Sequence, residues 1–315
     1  MMRMATRLDE WTGLPQADQF RRGLKSAISC EGVGLHGGAV AHLRFVPAAP
    51  GSGIAFRRTD LDAIIPARYD FVADTRLCTV LADPRRPEAR IGTVEHVMAA
   101  LAGLGIDDAL IEVDGPEIPI IDGSAAGFVF LLTCAGIAET GQPREIIEIL
   151  RPVRVADGAA FVELRQAGPG AEGFALALDI AFPARAIGRQ SFAIDLTPAR
   201  FTEELARART FTMKDEIDAL RDAGLARGGS LANAVVVDDE RVLNPEGLRY
   251  ADEFVRHKLL DVVGDLALAG APIAGRFAGA RAGHRLNNLL LRAVFADAAN
   301  YRRIELAAPE FAAVA

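Results

Sequence analysis

The stretch EFVRHKLLDVVGDL, residues 253–266, is apolar at Phe254, Val255, Leu259, Leu260, Val262, Val263 and Leu266, yet His257, Asp261 and Asp265 step through it at intervals of four. Residues four apart share one helical face, a turn apart. The run therefore reads as a helix over 252–269, with Asp252 capping its start and Gly270 ending it. Apolar residues flank the polar line on both sides. A carboxylate buried among them without a partner is strongly unfavourable. A divalent metal would satisfy His257 and Asp261 together, whereas a solvated stripe on a surface helix would need no partner at all. Spacing alone leaves both readings open.

Two other segments carry the same kind of residue. In TVEHVMAALAGLG (93–105), Thr93 is the expected N-cap and Gly103 or Gly105 the stop. Glu95 and His96 fall in the first turn. A catalytic zinc takes three protein ligands and keeps one position for water. His96 could be the third ligand, and Glu95 could take a proton from that water. An acidic residue in a first turn also suits the helix dipole without any chemistry. In AGHRLNN (282–288), His284 lies in a glycine-flanked loop before a helix. The chain has only five histidines, His36, His42, His96, His257 and His284.

Working outward, strands are expected over 24–48, at TRLCTVL (75–81) and at ALIEVDG (109–115), with a second helix at SAAGFVFLLTCAGI. ETGQPREI (139–146), with Gly141 and Pro143 as breakers, reads as a linker. Strands then recur at IIEILRPVRVA, AFVELRQ and FALALDIAF. A helix near 215–224, the strand NAVVV, the 253–266 helix, a strand within APIAGRFAGARAGH and a helix over RLNNLLLRAVFA follow. The repeated order predicts an α+β fold of two related domains meeting at a cleft. The expected division is a flexible tail over 1–20, a first domain over 21–142, a second over 143–305 and a C-terminal tail over 306–315. The glycine-rich EGVGLHGG (31–38) and RGGSLAN (227–233) match neither a P-loop nor a dinucleotide fingerprint and read as turns.

Bulk properties exclude some partners. The 315 residues carry a net charge of −7 and are half hydrophobic. That balance argues against nucleic-acid binding and supports a sizeable core. No apolar run reaches the roughly 18 residues of a transmembrane helix. Three cysteines without metal-site spacing fit a reducing cytoplasm.

GVGLH, TVEHVMAALAGLGIDDALIEVDGPEIPIIDGSA, ARTF, GGSLANAVVV, VLNPEGLRYADEFVRHKLLDVVGDL and GHRLNN occur in that order. Together they resemble the zinc-dependent deacetylases that act on UDP-3-O-acyl-N-acetylglucosamine in lipid A biosynthesis, from about residue 22 to about 300. The resemblance implies two domains, each a β-sheet layered against helices, with the active site at their interface, and one Zn2+ per chain on His96, His257 and Asp261, with water in the open position. Fe2+ is the alternative, because such a donor set does not select zinc by affinity alone. It implies Glu95 as general base. His284 is implied as the cation that stabilises the oxyanion and protonates the leaving amine, with Asp265 orienting it. Thr210 would help hold the tetrahedral intermediate. Lys258 and Phe211 would lie near the substrate, Glu216 near the uridine. Ile217, Leu231 and Val236 would line a passage for the acyl chain, with ordinary core positions as the alternative. A monomeric cytoplasmic enzyme is expected. The chain departs from the family at GLHGGA, at Thr212 after ARTF, and at GIDDA. A hydrolase of another acylated sugar and a catalytically inactive binding module are the rival readings.

Overall fold

The computed structural model describes residues 19–168 and 173–306, so the expected tails lie outside it except for Gln19, Phe20 and Leu306. Alternation of side chains builds the strands. In Val40–Val46, Ala41, Leu43 and Phe45 turn inward while Val40, His42 and Arg44 turn out. This strand belongs to a five-stranded sheet ordered Ile28–Val33, Val40–Val46, Ala109–Val113, Ile54–Arg58, Ala63–Pro66. Ile54–Arg58 and Ala109–Val113 run parallel. A parallel pair needs a crossover, and the intervening chain includes α1 (Glu95–Gly103).

The C-terminal half builds a seven-stranded sheet around Ile273–Ala280, which pairs parallel with Phe174–Ala181 and Glu145–Ile149 and antiparallel with Ala160–Arg165. Among the described residues, no named strand N-terminal of residue 144 pairs with one C-terminal of it. Each half thus has its own sheet. The remaining helices are α2 (Ala126–Ala135), α3 (Pro198–Arg200, continuing as a π-helical turn over Phe201–Leu205), α4 (Lys214–Asp222), α5 (Glu253–Ala267) and α6 (His284–Phe295). α2 packs on the first sheet, where Phe128 meets Phe45 edge-on at 6.3 Å. α5 and α6 pack on the second sheet, and α1 lies between α2 and α5. The layers are therefore sheet, helices, helices, sheet, with one apolar core running through them.

This position explains the composition of α5. It is covered on nearly every side, so its apolar residues spread around the helix beside the polar line instead of forming one stripe. Gly264 sets how closely α1 approaches it. A Cβ at Gly264 would lie 2.0 Å from the Glu95 carbonyl oxygen.

Four expectations are corrected. The linker over 139–146 is instead mostly strand: Ile137–Pro143 pairs antiparallel with Phe20–Leu24, and Glu145–Ile149 enters the large sheet. Gly141, at φ +75°, and Pro143 are tolerated because that pairing makes only a two-stranded sheet. Thr93 does not cap α1. Val94 holds the N-cap position, and the Thr93 hydroxyl donates to Glu117 Oε1 at 3.1 Å. Asp252 holds the N-cap position of α5 but makes no side-chain cap. Its carboxylate accepts from Arg256 Nε at 2.5 Å instead. The strand at 75–81 is confined to Val80–Asp83.

Candidate metal centre

Because α1 and α5 touch at Gly264, the first turn of α1 faces the polar line of α5. His96 and His257 meet edge-on with ring centroids 5.0 Å apart. Asp261 Oδ1 lies 3.6 Å from His96 Nε2 and 3.4 Å from His257 Nε2. The ligating atoms of these three buried residues all fall within 4.8 Å of one another. Asp261 Oδ1 has no hydrogen-bond partner, while Oδ2 accepts from Lys258 Nζ at 2.6 Å.

The protonation states match a cation site. Burial lowers the His257 pKa to about 4, so its imidazole is neutral. Burial opposes ionisation of Asp261, but His257 and Lys258 hold its carboxyl well below the ordinary range. Two imidazole nitrogens and one carboxylate oxygen, with an orphaned buried acceptor, form a donor set that fits a divalent ion of the zinc type.

A second cluster abuts the first. Burial raises the pKa of Glu95, against the opposing pull of His284 and His96. Its Oε2 accepts the Thr79 backbone N–H at 3.0 Å, and Oε1 lies 3.9 Å from His284 Nε2. His284 Nδ1 is 2.9 Å from Asp265 Oδ2, which also accepts from Asn287 Nδ2 at 2.8 Å. Thr79 Oγ1 donates to Asp265 Oδ1 at 2.6 Å. Burial disfavours the His284 imidazolium, but Asp265 and Glu95 outweigh it and raise the pKa to about 9.

Both clusters open into one pocket, whose walls also include Leu35, His36, Leu77, Thr93, Phe182, Thr210 and Phe211. Phe211 stands edge-on to Phe182, Phe254 and His257, with centroids 5.3, 5.0 and 6.2 Å away. Leu77 and Thr93 have φ of 69° and 60°, strained for a bulky and a β-branched side chain. The two glycine-rich stretches dock on each other. Gly228 donates its N–H to Leu35 O at 3.0 Å, and a Cβ there would lie 2.2 Å from Gly34 O. Glu117 grips the same loop through the N–H groups of His36 and Gly37, both at 2.7 Å. The second aspartate of GIDDA, Asp108, is buried and pairs with Arg21 at 2.7 Å.

The structure therefore brings together Glu95, His96, Thr210, Phe211, His257, Lys258, Asp261, Asp265 and His284. It leaves the other four apart from this pocket. Glu216 is exposed in the first turn of α4, Ile217 is half-buried beside it, Leu231 is exposed, and Val236 is buried in the strand Val235–Asp238. Sequence reasoning missed Thr79, Asn287 and Glu117. Asn287, three residues beyond His284 on α6, carried a periodic signal. Thr79 and Glu117 carried none, because each reaches the site through tertiary contacts alone.

Comparison with known proteins agrees with this geometry. The family described as LpxC: UDP-3-O-acyl N-acetylglycosamine deacetylase matches residues 21–296. A UDP-3-O-acyl-N-acetylglucosamine deacetylase of Acidithiobacillus ferrooxidans is 50% identical over 278 residues, covering 87% of this chain and 89% of that protein. One from Anaeromyxobacter sp. is 47% identical over 286 residues, covering 91% and 92%, and one from Shewanella sp. is 48% identical over 282 residues, covering 88% and 90%. With one family matched along nearly the whole described fold, and with relatives this similar over nine-tenths of their length, the chain belongs to the UDP-3-O-acyl N-acetylglycosamine deacetylase family.

Proposed function

We propose that the chain hydrolyses the N-acetyl group of UDP-3-O-(3-hydroxyacyl)-N-acetylglucosamine, releasing acetate and the free glucosamine amine, a step of lipid A biosynthesis. The observation that carries this reading is the convergence of His96, His257 and an unpartnered Asp261 oxygen beside the Glu95–His284 pair, in a chain of this family.

His96, His257 and Asp261 would hold one Zn2+ per chain, with Fe2+ as the alternative. Bound there, the ion supplies Lewis acidity that polarises the amide carbonyl and acidifies water to a pKa of about 7. The protein's own groups do the rest. Glu95, fixed by the Thr79 N–H, accepts the proton as the water oxygen joins the acetyl carbon. His284, kept cationic by Asp265, faces the developing oxyanion with Nε2 and gives its proton to the amine as the C–N bond breaks. Thr210 at the pocket wall adds a hydroxyl for the tetrahedral carbon. Lys258 keeps Asp261 anionic and presents positive charge to the substrate, and Phe211 offers an aromatic face. Glu216 would meet the uridine, and Ile217, Leu231 and Val236 the acyl chain. The domains are 21–142 and 143–305, which the separate sheets support. The enzyme would act as a monomer. The three free thiols support a cytoplasmic location.

The test is acetate release from the acylated nucleotide sugar by metal-replete protein, with and without a chelator. Turnover that the chelator removes and Zn2+ restores is expected. Well-folded, metal-loaded protein that releases no acetate from this substrate, or works equally well stripped of metal, ends the reading.

A further inference from the structure

The largest fully buried side chain in the described protein is a charged one, Arg209, only 1% exposed. Its main partner, Glu253, is 0% exposed. Glu253 begins α5 and extends the four-residue spacing of His257, Asp261 and Asp265 by one step toward the N-terminus. Arg209 donates from its backbone N and its Nε to Glu253 Oε1, at 3.0 and 2.8 Å, and from a terminal nitrogen to Oε2 at 3.2 Å. The rest of the guanidinium bonds Glu246 Oε1 at 2.6 Å and Gly247 O at 2.7 Å. Glu253 Oε2 also accepts the Arg249 N–H at 2.6 Å.

Burying such a pair is weak evidence for stability, since apolar residues of similar volume often do as well. Its neighbours point to another use. Ala208, one residue before Arg209, presents its carbonyl to His257 Nδ1 at 3.1 Å. Thr210, one residue after, lies on the pocket wall. Both would move if the 207–211 segment slid along α5. His96 Nδ1 has no hydrogen-bond partner among the described residues. His257 is therefore the one ligand imidazole whose ring a protein hydrogen bond orients.

We propose that Arg209 and Glu253 are a positioning pair, which pins the 207–211 segment to the first turn of α5 so that the Ala208 carbonyl fixes the His257 ring, with Nε2 toward the metal, and Thr210 faces the substrate. The inference rests on the metalloamidase reading above. It adds that the buried charges serve site geometry, acting through His257 and Thr210 and never touching the reacting atoms. Outer contacts that orient a ligating histidine typically govern 10–100-fold in metal affinity.

The test replaces both charges with apolar groups, Arg209→Met with Glu253→Leu, in the full chain. The expected double variant keeps the parental circular dichroism and melting temperature. It binds Zn2+ about 10–100-fold more weakly by chelator competition, shows altered visible bands when loaded with Co2+, and loses kcat more than KM. A second variant, Arg209→Lys, keeps the charge but loses the planar fork. It is expected to show the same spectral change in smaller degree. Folded protein of either kind with unaltered Zn2+ affinity and Co2+ spectrum overturns the pairing role. Failure of the unaltered chain to bind metal or release acetate would instead strike the metalloamidase reading, so the two outcomes are separable.

Discussion

At the scale of single residues, the proposed function gives metal holding to one cluster and proton handling to the other, and substitutions should separate them. Glu95→Ala is expected to cut kcat by about 10²–10⁴-fold while metal content stays at one per chain. His257→Ala is expected to lose the metal, which elemental analysis reads directly. The pH dependence follows from the two raised pKa values. The Glu95 carboxyl is raised above 4.5 by burial, so the active carboxylate disappears as pH falls toward that raised value. His284 is raised from 6.5 to about 9, so its imidazolium persists through neutrality and is lost as pH climbs past that point. kcat/KM should therefore be bell-shaped, with both limbs moved somewhat lower by the bound cation. Asp265→Asn removes the charge that raises His284. The basic limb should move down toward 6.5 along with the rate, and a basic limb that stays in place would assign it to another group.

At the scale of elements, the contact between α1 and α5 decides whether a site exists. Gly264→Ala would drive a Cβ to 2.0 Å from the Glu95 carbonyl oxygen. The helices must part, at a cost of about 1–3 kcal/mol by the usual penalty for overpacking, and His96 must withdraw from Asp261. Thermal melts and metal titration of the variant should both show the loss. If stability and metal affinity are unchanged, the close approach is not what builds the site. This scale also shows what the sequence could disclose. The spacing of His257, Asp261 and Asp265 placed three groups on one face because a helix repeats every turn. It could not choose between solvent and metal, because that choice depends on α1, more than 150 residues earlier. The matched motifs supplied the partner. The strand hidden at 137–143 was illegible for a related reason. Its Gly141 and Pro143 signal a break, and only pairing with Phe20–Leu24 makes the segment a strand. Thr79 was equally silent, since its two hydrogen bonds reach Glu95 and Asp265 through folding alone.

At the scale of the whole molecule, two sheets with separate strand pairing share one apolar core through the helices between them. His96, His257 and Asp261 sit on helices of that middle layer, whereas Leu35, His36, Thr210 and Phe211 come from loops and short strands at the pocket wall. The all-round burial of α5 has a consequence in time. An amide in a helix covered on every face exchanges its hydrogen only when a large part of the protein opens, while loop amides exchange through small local openings. Residues 257–266 should thus be among the last to take up deuterium. Residues 214–222, in α4, which buries no side chain, should be among the first. Local opening then belongs to that exposed helix, and His257 and Asp261 keep still while it happens.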